Sequence, residues 1–304
     1  MKKGIRKIES IHDFHRLRGL DSPLHPLVSL IDYGKTTITN RHIGEQWLFT
    51  FYSIGVKRNV GTLRYGQQHY DFNEGLMSFI APGQLLGIRP NEKPGQKPSG
   101  WLLLLHPDFI WNTSLAKSIK KYDFFDYSIN EALFMSPKEE SIIEGIFKNI
   151  QGEIEANLDR FSQNIIIAQI ELLLQYSERF YQRQFITRKK SNHEVLARLE
   201  KLLNDYFNDE ESSKTGIPSV KFVAEKLNLS PNYLSSLLKT LTGQNTQQYI
   251  HEKLIEKAKE KLSTSELSIS EIAYDLGFEH SQSFSKLFRS KTSLSPSEFR
   301  DSFA

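Results

Sequence analysis

Apolar positions fall into two regimes along the chain. Up to about residue 110 they come in short runs dense in aromatic and β-branched side chains, the pattern of strands. Trp47-Leu-Phe-Thr-Phe-Tyr-Ser-Ile54 is one such run. Residues 61–65 and 69–72 flank Gly66-Gln-Gln68 as a hairpin. Leu76-Met-Ser-Phe-Ile80 leads into Ala81-Pro-Gly83, and Trp101-Leu-Leu-Leu-Leu105 is a short buried strand stopped by His106-Pro107. Between them, residues 91–100 hold Pro and Gly among polar side chains and read as a loop.

Beyond residue 130 the period changes to that of helices. Ser136-Pro137-Lys-Glu139 has the form of a helix start, with Ser136 as N-cap, Pro137 in the first turn and Glu139 completing a capping box. Ile142, Ile143, Ile146, Phe147, Ile150 and Ile154 follow at steps of mostly three and four. A second helix spans about 159–185. Its apolar set, Ile165, Ile166, Ile167, Ile170, Leu172, Leu173 and Leu174, is wider than one core stripe, so a partner subunit is expected to cover part of it. Residues 181–190, with Arg183, Arg188, Lys189 and Lys190, read as a basic interdomain linker, and the remainder is helical.

That remainder contains an internal repeat of about fifty residues. Val223-Ala-Glu-Lys-Leu227-Asn-Leu229 corresponds to Ile272-Ala-Tyr-Asp-Leu276-Gly-Phe278. Leu234, Leu237 and Leu238 then correspond to Phe284, Leu287 and Phe288, and Thr242 and Tyr249 to Thr292 and Phe299. Two short helices crossing steeply need a small residue at the crossing, which Ala224 and Ala273 supply. The turn between them favours a residue that tolerates positive φ, which Asn228 and Gly277 supply. Ser230-Pro231 restarts a helix. This is a helix-turn-helix made twice, and two matched copies are harder to obtain by chance than one. The second helix of each unit is left with polar outward positions that suit base edges in a major groove, while Arg289 and Lys291 suit phosphates.

On these residues, about 192–304 resemble the DNA-binding domain of the AraC/XylS regulators. The Ile272-Ala-x-x-Leu276-Gly277-Phe278…Phe284-Ser-x-x-Phe288-Arg…Ser295-Pro296-x-x-Phe299-Arg300 signature carries the likeness. The resemblance implies recognition helices at about 231–241 and 281–291, joined by a helix from Thr246 to about Leu262. It places DNA contacts on Asn232, Ser235, Ser236 and Lys239, then on Ser281, Gln282, Ser285, Lys286 and Arg289. The first recognition helix is poor in large polar or basic side chains, so the second is expected to supply more of the base discrimination.

The strand–turn order from residue 61 to Gln84 resembles the small cupin-like β-barrel that such regulators use as a sensor. The expected fold is therefore α+β: a small cupin-like β-barrel with helices over 1–130, a helical dimerisation region and linker over 131–190, and an all-α double helix-turn-helix domain over 191–304. Metal-binding cupins pair histidines early and place another after the Pro-Gly turn; here Asn40 stands beside His42, and Leu86 holds the later place, so neither metal nor other cofactor is expected. His42, His69 and His106 read as ordinary structural or surface histidines. A barrel of this size can hold one small organic molecule. Trp47, Tyr52, Tyr65, Tyr70 and Arg89 are the candidate contacts.

Composition narrows the alternatives. The 304 residues are 38% hydrophobic and 25% charged, a globular balance that permits two cores. The net charge of +3 is small for a nucleic-acid binder, so the placement of charge has to carry that reading. The absence of cysteine excludes disulfides, thiolate zinc sites and the thiolate chemistry of a methyl-acceptor repair protein. No run approaches the roughly 18 apolar residues of a membrane helix, and the basic start lacks an apolar stretch after it, so a cytoplasmic protein is expected. The expected partners are double-stranded DNA, a second copy of the chain, a small-molecule effector and RNA polymerase. Two alternatives remain open: a DNA-binding protein whose front half only dimerises, and a cupin-type enzyme fused to a DNA-binding domain.

Overall fold

The computed structural model describes residues 5–36, 45–58, 64–65, 68–69, 75–87, 99–127, 131–156, 159–208 and 215–302. The chain divides into two compact units, residues 1–184 and 185–304. The protein is mixed α+β, and among the described residues no helix is long and apolar enough to cross a membrane.

In the first unit β1 (Ile5–Ile8) pairs in parallel with β3 (Gln46–Phe49), which pairs antiparallel with β8 (Leu85–Gly87). A second sheet has the order β10-β7-β4-β9-β2. Its strands are β2 (Val28–Asp32), β4 (Tyr52–Arg58), β7 (Leu76–Ile80), β9 (Ser99–Leu105) and β10 (Leu133–Phe134). β5 (Arg64–Tyr65) and β6 (Gln68–His69) form a hairpin in which Tyr65 faces Gln68, so Gln68 belongs to a strand and not to the turn. Among the described residues no ladder joins the three-stranded sheet to the five-stranded one, so a single closed barrel is not what the pairing shows.

The run 47–54, read as one strand, is two. Trp47–Phe49 lies in the small sheet and Tyr52 onward in the large one. Thr50 makes the break: its N–H donates to Ile8 O, and its hydroxyl donates to Glu9 O at 2.8 Å. Trp47, Phe49 and Phe51, at alternate positions, then pack with Ile8, Ile31, Ile80, Leu102 and Leu104 in one buried cluster drawn from both sheets. α1 (Ile11–Leu17), which the sequence reading did not foresee, starts at Ser10, whose side chain accepts from the Asp13 N–H. It turns Phe14 edge-on to Trp47, Phe49 and Phe51. Gly100 is required by a close approach: a Cβ there would run into the backbone carbonyl of Val56.

A short helix, α2 (Ser114–Ser118), precedes two long ones, α3 (Pro137–Glu155) and α4 (Ser162–Thr187). The capping box of Ser136 and Glu139 forms as expected, and Ile143, Ile146, Phe147, Ile150 and Ile154 are buried. Arg58 of β4 is bonded to Glu140 and Glu144 of α3. The expected two-sided apolar surface of α4 is narrower than its composition. Ile166, Ile170 and Leu173 are at most 1% exposed and serve the unit's own core; Ile165 and Leu172 remain exposed on the opposite face, with Phe161 exposed just before the helix.

Residues 181–190, read as a linker, are helical apart from Arg188. Tyr181, Gln184 and Phe185 are buried within α4. Arg183 donates to both carboxylate oxygens of Glu139 and to Phe134 O. After Arg188 the chain resumes as α5 (Lys189–Asn208). The second unit continues with α6 (Val220–Leu227), α7 (Pro231–Thr242), α8 (Thr246–Thr264), α9 (Ile269–Asp275), α10 (Ser281–Thr292) and α11 (Pro296–Asp301).

Candidate nucleic-acid interface

The fifty-residue repeat is reproduced in the backbone. Ser219 caps α6 by accepting from the Phe222 N–H, and Val223, Ala224 and Leu227 point inward. At the end of α6, Asn228 takes φ 57°, its N–H donates to Glu225 O at 3.1 Å, and the Leu229 N–H donates to Ala224 O at 2.9 Å. In the second unit a capping box of Ser268 and Glu271 starts α9. Gly277 there takes φ 84°, its N–H donates to Tyr274 O at 2.9 Å, and the Phe278 N–H donates to Ala273 O at 3.0 Å. Ala224 and Ala273 are both fully buried, as a close helix crossing demands.

The second helices then present matching faces. Leu234, Leu237 and Leu238 of α7 and Phe284 and Phe288 of α10 are fully buried. On the other side of α7, Asn232, Ser235, Ser236 and Lys239 stand at i, i+3, i+4 and i+7, one helical face. Gln282, Ser285, Lys286 and Arg289 repeat that spacing on α10. Lys239, Gln282, Lys286 and Arg289 are exposed, and the serines and Asn232 are half-buried. These eight positions carry three cations and no carboxylate, so local charge is positive where the net charge is nearly balanced. Ser281 adjoins the face at the start of α10. Lys291 lies off it by helical period, near enough to His251 that, after burial, it helps hold that imidazole below its usual pKa.

Hydrogen bonding separates side chains that look alike in sequence. The Ser235 hydroxyl meets the hydroxyl of Thr246, a fully buried residue in the first turn of α8, at 2.9 Å. Ser285 donates to Ser281 O at 3.0 Å, one turn back. Both hydroxyls therefore have partners within the protein. Thr246 marks only the start of the linking helix in the sequence. α8 itself is fixed by a capping box of Asn245 and Gln248, and Lys261 pairs with Asp275 of α9 at 3.1 Å. Tyr249 donates to Glu200 of α5 at 3.0 Å; burial and that carboxylate push its phenol well above the usual range.

These features are matched among known proteins. A family model described as a helix-turn-helix domain matches residues 223–302. The regulatory protein SoxS of Salmonella typhimurium (strain LT2) is 35% identical over 82 residues, which are 27% of this chain and 77% of that protein. The chain belongs to the AraC/XylS family. Another AraC/XylS relative, the transcriptional activator RhaS of Escherichia coli O139:H28, is 37% identical over 128 residues, 40% of this chain and 44% of that protein. The chain spans about a third to under half the length of the first curated relatives it matches. Among solved structures, the C-terminal domain of the response regulator yesN from Fusobacterium nucleatum is 30% identical, with 35% of this chain and 98% of that one covered at a TM-score of 0.31.

In the first unit of this AraC/XylS protein only some of the expected ligand contacts lie among the described residues. Trp47 is 1% exposed and its Nε1–H donates to Glu45 Oε2 at 3.0 Å, while Tyr52 packs on Phe125 at 5.2 Å; both are buried. Tyr65 lies in β5, and Tyr70 and Arg89 fall outside the described residues, as does His42. His106 caps a short turn by accepting from the Asp108 N–H. A cleft of about 230 Å³ opens elsewhere, lined by His15, Asp21, Asp32, Trp101, Gln151 and Glu155 among others. The His15 ring bridges Asp21 O and Ser29 Oγ, at 2.5 and 2.9 Å, and its burial lowers its pKa.

Proposed function

We propose that the protein is a sequence-specific DNA-binding transcription regulator that reads two neighbouring major-groove segments with α7 and α10. The matched polar faces carry this reading: two solvent-facing stripes at identical spacing, partly exposed on α7 and mostly exposed on α10, with three cations and no carboxylate among their eight positions, each at the second helix of a helix-turn-helix. The contacts fall on Asn232, Ser235, Ser236 and Lys239, and on Ser281, Gln282, Ser285, Lys286 and Arg289. α8 has 19 residues and so spans roughly 28 Å, a strut suited to two recognition helices on one face of a duplex whose turns repeat about every 34 Å. Selection of duplexes from a random-sequence pool by the full chain tests it. Enrichment of one asymmetric site of about two turns is expected, and an unenriched pool would refute the reading.

The first unit, in this proposal, is a cupin-like sensor that also dimerises, with RNA polymerase as a downstream partner. Its two sheets packed about one aromatic core support the cupin-like architecture. A small molecule bound there acts only through different affinities for the two states of the protein. Ile165 and Leu172 on the outward face of α4, with Phe161 just before it, support dimerisation, because these three large apolar side chains remain 41–52% exposed. Sedimentation of the full chain should give a dimer, and Ile165→Glu a monomer; a wild-type monomer at micromolar concentration removes this part.

A further inference from the structure

The two helix-turn-helix turns are equivalent in backbone, yet one holds Asn228 and the other Gly277. Asn228 shows that the turn itself accepts a side chain at positive φ. Gly277 answers to something further. A Cβ built on it would meet the backbone of Gly216, with the carbonyl carbon at 2.6 Å, its oxygen at 2.9 Å and Cα at 3.0 Å. Backbone cannot swing aside as the end of a side chain can, so this contact forbids a residue larger than glycine.

Gly216 is itself held from the side of the first helix-turn-helix. Tyr206 of α5 donates its hydroxyl to Gly216 O at 2.6 Å and meets the Thr215 hydroxyl at 2.7 Å. Its ring packs edge-on against Phe222 of α6 at 5.5 Å. A path thus runs from α6 through Tyr206 and Gly216 to the turn that aims α10, separate from the strut formed by α8. One helical strut fixes how far apart two bodies stand but leaves them free to twist at its ends. A second point of contact removes that twist.

We propose that the Tyr206–Gly216–Gly277 contact locks the rotation between the two recognition helices, and so makes the protein selective for the spacing of its two half-sites. Tyr206 is a positioning residue here; it reaches no DNA. The proposal rests on the DNA-reading function above. One extra base pair moves a half-site by about 3.4 Å and turns it by roughly 35°. A locked pair cannot follow that change, whereas a hinged pair can.

The test uses the full chain and the duplex it selects from a random pool, with the half-site spacing kept, shortened by one base pair or lengthened by one. Affinities are read by fluorescence anisotropy. The wild type should lose about tenfold or more at either altered spacing, the scale of a lost base contact. Tyr206→Phe keeps the ring but not the two hydroxyl bonds, and Gly277→Asn keeps the turn but not the close approach. Both should lose less than about threefold at altered spacing. Asn228→Gly, the mirror change in the first turn, should keep the wild-type profile. If Gly277→Asn does not fold by circular dichroism, Tyr206→Phe decides alone. A wild type indifferent to spacing, or a Tyr206→Phe profile like that of the wild type, overturns this proposal while leaving DNA reading intact. A pool from which the wild type enriches nothing overturns both.

Discussion

Ser235 and Gln282 lie on the matched polar faces of α7 and α10, and their surroundings differ. The Ser235 hydroxyl is bonded to the hydroxyl of Thr246, which is fully buried. Ser235→Ala deprives Thr246 of that partner; an unsatisfied buried polar group costs about 1–3 kcal/mol. In a unit of this size that corresponds to a loss of roughly 4 °C in Tm per kcal/mol. Gln282 is exposed. Gln282→Ala should leave stability within about 0.5 kcal/mol of wild type, but a bidentate contact to a base discriminates by about 1–3 kcal/mol, or roughly 5- to 150-fold between bases at one position. Thermal unfolding measures the first effect, and binding across a randomised site library measures the second. Ser235→Ala should move the melting curve more than the base preference, and Gln282→Ala the reverse. The reasoning fails if Ser235→Ala changes base preference more than Gln282→Ala does while unfolding at the wild-type temperature.

Three further outcomes follow from the same geometry. Arg289→Ala should weaken binding to all duplexes and reduce the slope of log affinity against log salt by about 1 if it meets a phosphate; a variant that instead relaxes one base position would make Arg289 a reader, as its place on the face of Gln282 and Lys286 allows. Burial lowers the pKa of His15, so its neutral form is favoured in the fold and the unfolded chain binds the proton more readily; stability should therefore fall as pH drops below about 6.5, and His15→Gln should flatten that limb of a denaturation–pH profile. Ser136→Ala removes a side chain that caps α3 and should cost about 1 kcal/mol in urea unfolding of the first unit.

The helical half was legible where a signal is contained within one or two turns. Ser136 with Glu139, Ser230 with Pro231, and the alternation of buried and polar positions on α7 and α10 depend on neighbours three or four residues away, and each formed as the sequence implied. The sheet half was less legible because its decisive contacts lie far apart in the chain. Thr50 ends β3 by bonding the backbone of Ile8 and Glu9, some forty positions earlier, which no local pattern announces. α1 is only two turns long and lies between strands, too short for its period to stand out. Arg183 reads in sequence as part of a basic linker, whereas the fold sets it against Glu139 and Phe134. A charge run in sequence does not say which charges the fold will claim.

The interface divides along the same line. Which side chains share the outward face of α7 and α10 is a matter of helical period, so Asn232, Ser236, Lys239, Gln282, Lys286 and Arg289 could be placed from sequence alone. Which of them keep free hydrogen-bonding capacity is a matter of tertiary contact, so the engagement of Ser235 by Thr246, eleven positions on and in another helix, could not. That difference changes the expected chemistry. Two of the hydroxyls offered as base readers, Ser235 and Ser285, already have protein acceptors or donors, and using them on DNA means exchanging one hydrogen bond for another, with little net gain. Gln282, Lys286 and Arg289 of α10 are longer and exposed. One such serine stands on each recognition helix, so the larger share of base discrimination expected of α10 rests on its longer side chains and not on how the serines are bonded.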